Sequence, residues 1–167
     1  MKAITVQDNR LYGLVALYDL HTDLFISVLD GISDTDAHNR NNTKANHVAW
    51  LAGSLVQQRY ELASQYSGKE YKQAGHDLFK DNQGIKEGVT YPSLEQYKKD
   101  WKAISPIARD IVTNIPAEKL DSDFDMGPDM KFTHYEIAVF STYREANMIG
   151  QIALWRRLMG YEPMKYM

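Results

Sequence analysis

Five histidines, at positions 21, 38, 47, 76 and 134, are the side chains here whose ordinary titration falls near neutral pH, and no two stand four residues apart. That spacing matters because residues i and i+4 share a helical face and can grip one ion. There is no cysteine, which excludes disulfides, thiolate zinc sites and a protein thiol nucleophile. What remains is a cation in an odd place. Ile137, Phe140, Arg144, Met148, Gln151, Trp155 and Leu158 recur every three or four residues and read as one stripe of an amphipathic helix. Arg144 is a long cation in a stripe expected to be buried, and Met148 follows one turn on. A second stripe, His47, Trp50 or Leu51, Ser54, Gln58, Glu61 or Leu62, Gln65, is polar at 54, 58 and 61. A polar inner stripe signals a cavity or an internal hydrogen-bond network. Burying a guanidinium alone costs several kcal/mol, so Arg144 needs company. Glu61, Asp19 and Asp23 are candidate counter-charges; Ser54, Tyr18 and Gln58 are candidate neutral acceptors. If these groups line a cavity, an anionic or carboxylate guest suits it. The competing reading is a purely structural network, or an arginine that snorkels outward.

Four long helices must position these residues. The first is expected over Thr5–Ile32, with Thr5 and Asp8 as a cap, Ile4 as a staple, and Leu11, Leu14, Tyr18, His21, Phe25, Val28 and Ile32 on one face. A polar loop over 33–43 leads to a second helix over Lys44–Tyr66, ended by Gly68. Residues 67–92 carry four glycines and Pro92 without periodicity and read as a long crossover, long enough to cover a pocket. Ser93 and Gln96 form a capping box for a third helix that buries Leu94, Tyr97, Trp101, Ile104, Ala108, Ile111 and Ile115, with Pro106 inside it. After a short turn, PAEKLDS, and a loop, DFDMGPDM, the fourth helix opens on a capping box of Thr133 and Glu136 and ends at Gly160. The pattern predicts an all-α, antiparallel four-helix bundle, a single domain over residues 1–167, with the crossover between helices 2 and 3.

Net charge is −3 and basic residues are scattered, so nucleic-acid binding is not expected. No run of 18 or more apolar residues and no signal-peptide core is found, and the expected location is cytoplasmic, off the membrane. Eleven tyrosines and three tryptophans supply core and interface surface.

WLAGSL at 50–55 and REANMIGQIALWRRLMG at 144–160 resemble the two signature segments of the DinB-like (damage-inducible, YfiT-like) superfamily. YPSLEQYKKDW and DLF at 77–79 extend the similarity over nearly the whole chain. The resemblance implies a four-helix bundle, often a homodimer, and in typical members a divalent metal on three histidines. The corresponding positions here are Ser54, Arg144 and Met148. A hydroxyl is a feeble ligand, a thioether suits soft ions only, and a guanidinium has no lone pair to give. The expectation is therefore a metal-free, cofactor-free member, a binding or scaffold protein, with an Arg-centred pocket drawn from Tyr18, His21, His47, Ser54, Gln58, Glu61, Arg144, Met148 and Gln151. Two alternatives stand beside it. One is a divergent thiol-dependent transferase, isomerase or hydrolase, with Arg144 stabilising an oxyanion or thiolate and His47 or His21 as acid or base. The other is a metal site with relocated ligands.

Overall fold

The computed structural model describes residues 3–127 and 130–166, and it is mostly helical. Four long helices, α1 (Leu11–Leu29), α3 (Val48–Ser67), α5 (Leu94–Thr113) and α7 (His134–Leu158), carry the core. Three short ones, α2 (Asp34–Ala37), α4 (His76–Phe79) and α6 (Ala117–Asp121), sit in the connections. The closest packing is of α3 on α5 and of α1 on α7, with α1 also against α5 and α3 against α7.

Cross-contacts give the directions. Tyr18 Oη donates to Ser105 O (2.9 Å) and Trp101 Nε1 to Thr22 O (3.0 Å), so α1 and α5 run antiparallel. Trp155 Nε1 donates to Asn46 O (3.0 Å) while Tyr66 meets His134 (2.7 Å) at the other end, so α3 and α7 do too. His21 lies on Glu145 and Arg156 reaches Val28 O, which makes α1 and α7 parallel. Gly53 lies against Tyr97, and Tyr60 Oη reaches Asp100 O; α3 and α5 are parallel as well. The expected antiparallel arrangement is thus kept for two neighbouring pairs and broken for the other two. The physical reason is the crossover, which carries the chain back along α3 before α5 begins. It is pinned there: Gln73 donates to Gly53 O (2.9 Å), and the Asp100 carboxylate accepts from the Ala74 N–H (2.9 Å).

Helix ends follow local chemistry. Ser93 Oγ accepts from the Gln96 N–H (3.2 Å), but Gln96's own side chain turns to Asp100 (2.8 Å), leaving half of the expected box. The box of Thr133 and Glu136 is complete. Gly68, at φ +68, and Gly160, at φ +80, take the left-handed conformation expected after α3 and α7. Pro106 is accommodated within α5.

Three expectations need correction. The first helix starts at Leu11 rather than Thr5. The Gln7 N–H instead donates to Thr113 O (2.8 Å), and Ile4 and Val6, two apart, join a separate apolar cluster with Leu11, Val15, Val112, Ile115 and Leu120. Ile4 and Val6 are half-buried while Ala3, Thr5 and Gln7 are exposed, an alternation of period two rather than a helical one. The second helix starts at Val48, with His47 as its N-cap. Within the loop expected over DFDMGPDM and its flank, Asp123–Asp125 (β1) pairs antiparallel with Lys131–Thr133 (β2); Pro128 and Asp129 lie outside the described residues.

By length and composition α1 is apolar enough to cross a membrane, with a mean hydropathy of 1.2. Its inner side is committed to the core through Val15, Phe25, Val28 and Leu29.

Candidate functional site

α7 is rotated about one residue from its expected stripe. Its buried positions are His134, Glu145, Met148, Ile149, Ile152, Trp155 and Arg156, whereas Phe140, Gln151 and Leu158 face outward. One residue is a turn of roughly 100° about the helix axis. The side chain placed at the centre of the molecule is therefore Glu145, and Arg144 stands on the flank, half-buried.

On that flank Arg144 meets α3. One guanidinium nitrogen donates to Gln58 Oε1 (2.6 Å) and the other to Ser54 Oγ (2.6 Å), and Gln58 is held in turn by donating to Ser141 O (3.0 Å). Both acceptors are neutral, and Arg144 forms no ion pair with a described residue. Burial lowers its pKa, opposed by the nearby charges of Glu61 and Glu145.

Arg144 lines a cavity of about 160 Å³. Helix α3 supplies Trp50, Ser54, Gln57 and Glu61, which share one face by their spacing of three and four. The crossover supplies Phe79, Asn82 and Gln83. Gln57 Nε2 donates to Glu61 Oε1 (2.9 Å), and Gln57 Oε1 accepts from Gln73 (2.9 Å). Trp50 has a buried indole N–H with no acceptor among the described residues. Gly53 lets Phe79 in: a Cβ there would stand 2.3 Å from the Phe79 ring and 2.5 Å from Tyr97 Oη. Asp81 and Asn82, at φ +59 and +56, form the left-handed turn that brings Asn82 and Gln83 to the opening.

A second guanidinium lies deeper. Arg59 is 1% exposed. It makes a two-pronged pair with Glu145 (2.7 and 2.9 Å) and donates to Thr22 Oγ1 and Ser105 Oγ (both 2.7 Å). It lies between the rings of Tyr18 (3.7 Å) and Trp101 (3.5 Å). Burial pushes the Glu145 carboxyl up, but the charge and hydrogen bonds of Arg59, with His21 Nδ1 at 3.2 Å, outweigh it and hold the pKa below its usual value. A void of about 20 Å³ beside this pair, lined partly by Tyr18, Gln58 and Glu145, holds no more than a water-sized guest.

The sequence-derived pocket therefore divides. Ser54, Glu61 and Arg144 line the larger cavity, with Gln58 bonded to Arg144. Tyr18 and His21 belong to the Arg59–Glu145 network instead. Met148 is buried in the main core, and Gln151 is exposed, donating to Asn147 (2.7 Å). His47 caps α3, its Nδ1 accepting from the Trp50 N–H (3.0 Å) among His38 and Tyr91. Burial, then the charge of His38, lowers its pKa to about 4. Sequence reading missed Gln57, Phe79, Asn82, Gln83, Arg59 and Glu145. Only Gln57 had a local signal, its place on the face of Ser54 and Glu61.

The metal that the family resemblance implies does not fit these residues. The Arg144 guanidinium lies against Ser54 Oγ, where a cation would have to stand, and Met148 does not line the cavity. Among the described residues, no three His, Asp or Glu side chains gather as a relocated site would require. No family model and no curated protein matches the chain.

Proposed function

We propose that this chain is a metal-free relative of the DinB-like proteins, its four long helices forming their bundle, and that it binds a small carboxylate at Arg144. The carrying observation is the state of that guanidinium: it lines a cavity and is held by two neutral acceptors, with no counter-charge in contact among the described residues. A charge half out of water gains most from a partner with two matching oxygens, and a carboxylate supplies them in the geometry a guanidinium prefers. Calorimetric titration with a panel of small carboxylates tests the reading. Saturable binding that disappears in Arg144→Met is expected. No binding across the panel, or stoichiometric zinc or nickel in elemental analysis of the purified protein, overturns it.

The enzymatic alternative is less well served. Neither His47 nor His21 lines the cavity, so an acid or base would have to be Glu61 at its edge.

Self-association has its own support. Tyr12, Leu17 and Leu20 on α1 and Tyr143, Leu154 and Leu158 on α7 are exposed apolar side chains on neighbouring helices. Exposed apolar side chains on adjacent helices suit contact with a second copy. A dimer mass by light scattering at micromolar concentration, reverting to monomer in Leu17→Glu/Leu154→Glu, is the expected result.

A further inference from the structure

The same cavity carries a second charge. Glu61 lies on α3 one turn beyond Gln57, exposed at the edge of the cavity. Gln57 Nε2 donates to its Oε1 (2.9 Å), while Oε2 has no partner among the described residues. Arg144 feels the Glu61 charge, yet the two form no ion pair. One small cavity thus displays a guanidinium and a carboxylate that do not pair with each other, each lacking an opposite charge in contact among the described residues. Gln57 restrains one, and Ser54 with Gln58 restrains the other.

Two separated charges of opposite sign are the complement of a molecule that carries both. Resting on the carboxylate reading above, we infer that the guest is a zwitterion: a free amino acid, its carboxylate on Arg144 and its ammonium on Glu61. The remaining lining agrees with a compact polar molecule that has a short hydrocarbon part. Asn82 and Gln83 offer amides, and Trp50 and Phe79 offer flat apolar walls. A cavity of about 160 Å³ is close to one of ~150 Å³ that holds benzene, which sets the scale at roughly six to ten non-hydrogen atoms. A small amino acid matches that volume.

The test uses matched probes on the full chain. Each of the twenty amino acids, β-alanine and γ-aminobutyrate is titrated beside its des-amino carboxylate, by calorimetry and by amide NMR shifts. The expected outcome is at least one amino acid that binds tenfold or more tightly than its des-amino partner. Glu61→Gln should abolish that preference and, by removing a negative charge beside Arg144, strengthen binding of the des-amino carboxylate; Arg144→Met should remove both. If amino acid and des-amino partner bind alike, or if Glu61→Gln leaves the preference unchanged, the zwitterion inference fails and the carboxylate reading stands. If no probe binds, both fail.

Discussion

Arg59 and Arg144 both reach into the same assembly of helices, and they differ in every way that separates scaffold from site. Arg59 is saturated: a two-pronged carboxylate, two hydroxyls and two aromatic faces leave it nothing to offer a guest. Arg144 has two neutral acceptors and a cavity beside it. Deep burial demands full pairing, because an uncompensated charge there is intolerable. Partial burial permits a cation to wait for its partner. The state of a cation's counter-charge, more than its depth, separates the two roles.

The comparison can be broken most forcefully at Arg59. Arg59→Met strands Glu145 without a cation and should cost about 3–5 kcal/mol in urea unfolding; Glu145→Met should cost a similar amount, and the double variant much less than their sum. Additive losses would show that the pair is not a unit. Next in size is Gly53→Ala, which drives a methyl into Phe79 and Tyr97. We expect a loss of about 1–3 kcal/mol, together with weakened carboxylate binding as Phe79 leaves the wall. Arg144→Met should change unfolding stability by no more than about 1 kcal/mol, since it removes hydrogen bonds but strands no ion. If it destabilised as much as Arg59→Met, Arg144 would be scaffold too.

A pH dependence is expected at His47. Its folded pKa, about 4, lies below the ordinary histidine value of 6.5. Between those values the unfolded chain binds more protons than the folded one, so stability rises with pH across that window and falls as pH drops from 6.5 towards 4. Arg40 and Glu87, with His38, set the surrounding charge. His47→Asn keeps a side chain able to cap α3 and removes the titration, so its melting temperature should fall less over that interval than the parent's.

Much of the fold could be read from ends rather than middles. The Thr133–Glu136 box, the Ser93 cap, and Gly68 and Gly160 mark real boundaries because capping is a local interaction within a few residues. Thr5 misled because a polar residue three before an acidic one looks like a cap, while the alternation of Ile4 and Val6 spoke for extended chain. The face of α7 was misjudged by one residue because apolar counting draws Phe140 and Leu158 inward and leaves a carboxylate outside. Glu145 is inside only because Arg59, 86 positions earlier, meets it there, and no window along one helix contains that fact. The cavity was legible from α3, where Ser54, Gln58 and Glu61 interrupt an inner stripe. Its far wall was not, since Phe79, Asn82 and Gln83 come from a segment with no period to read.

Neighbours in the chain, Arg144 and Glu145 have opposite fates, and only the roughly 100° between successive helical residues keeps them apart. One extra residue anywhere between the Thr133 cap and that pair would swing glutamate out of the centre and its neighbours with it, stranding Arg59 in a single step. Most point changes along the outer side of those turns are expected to cost less than a change of length. An insertion scan should find there a stretch permissive to spelling and closed to lengthening.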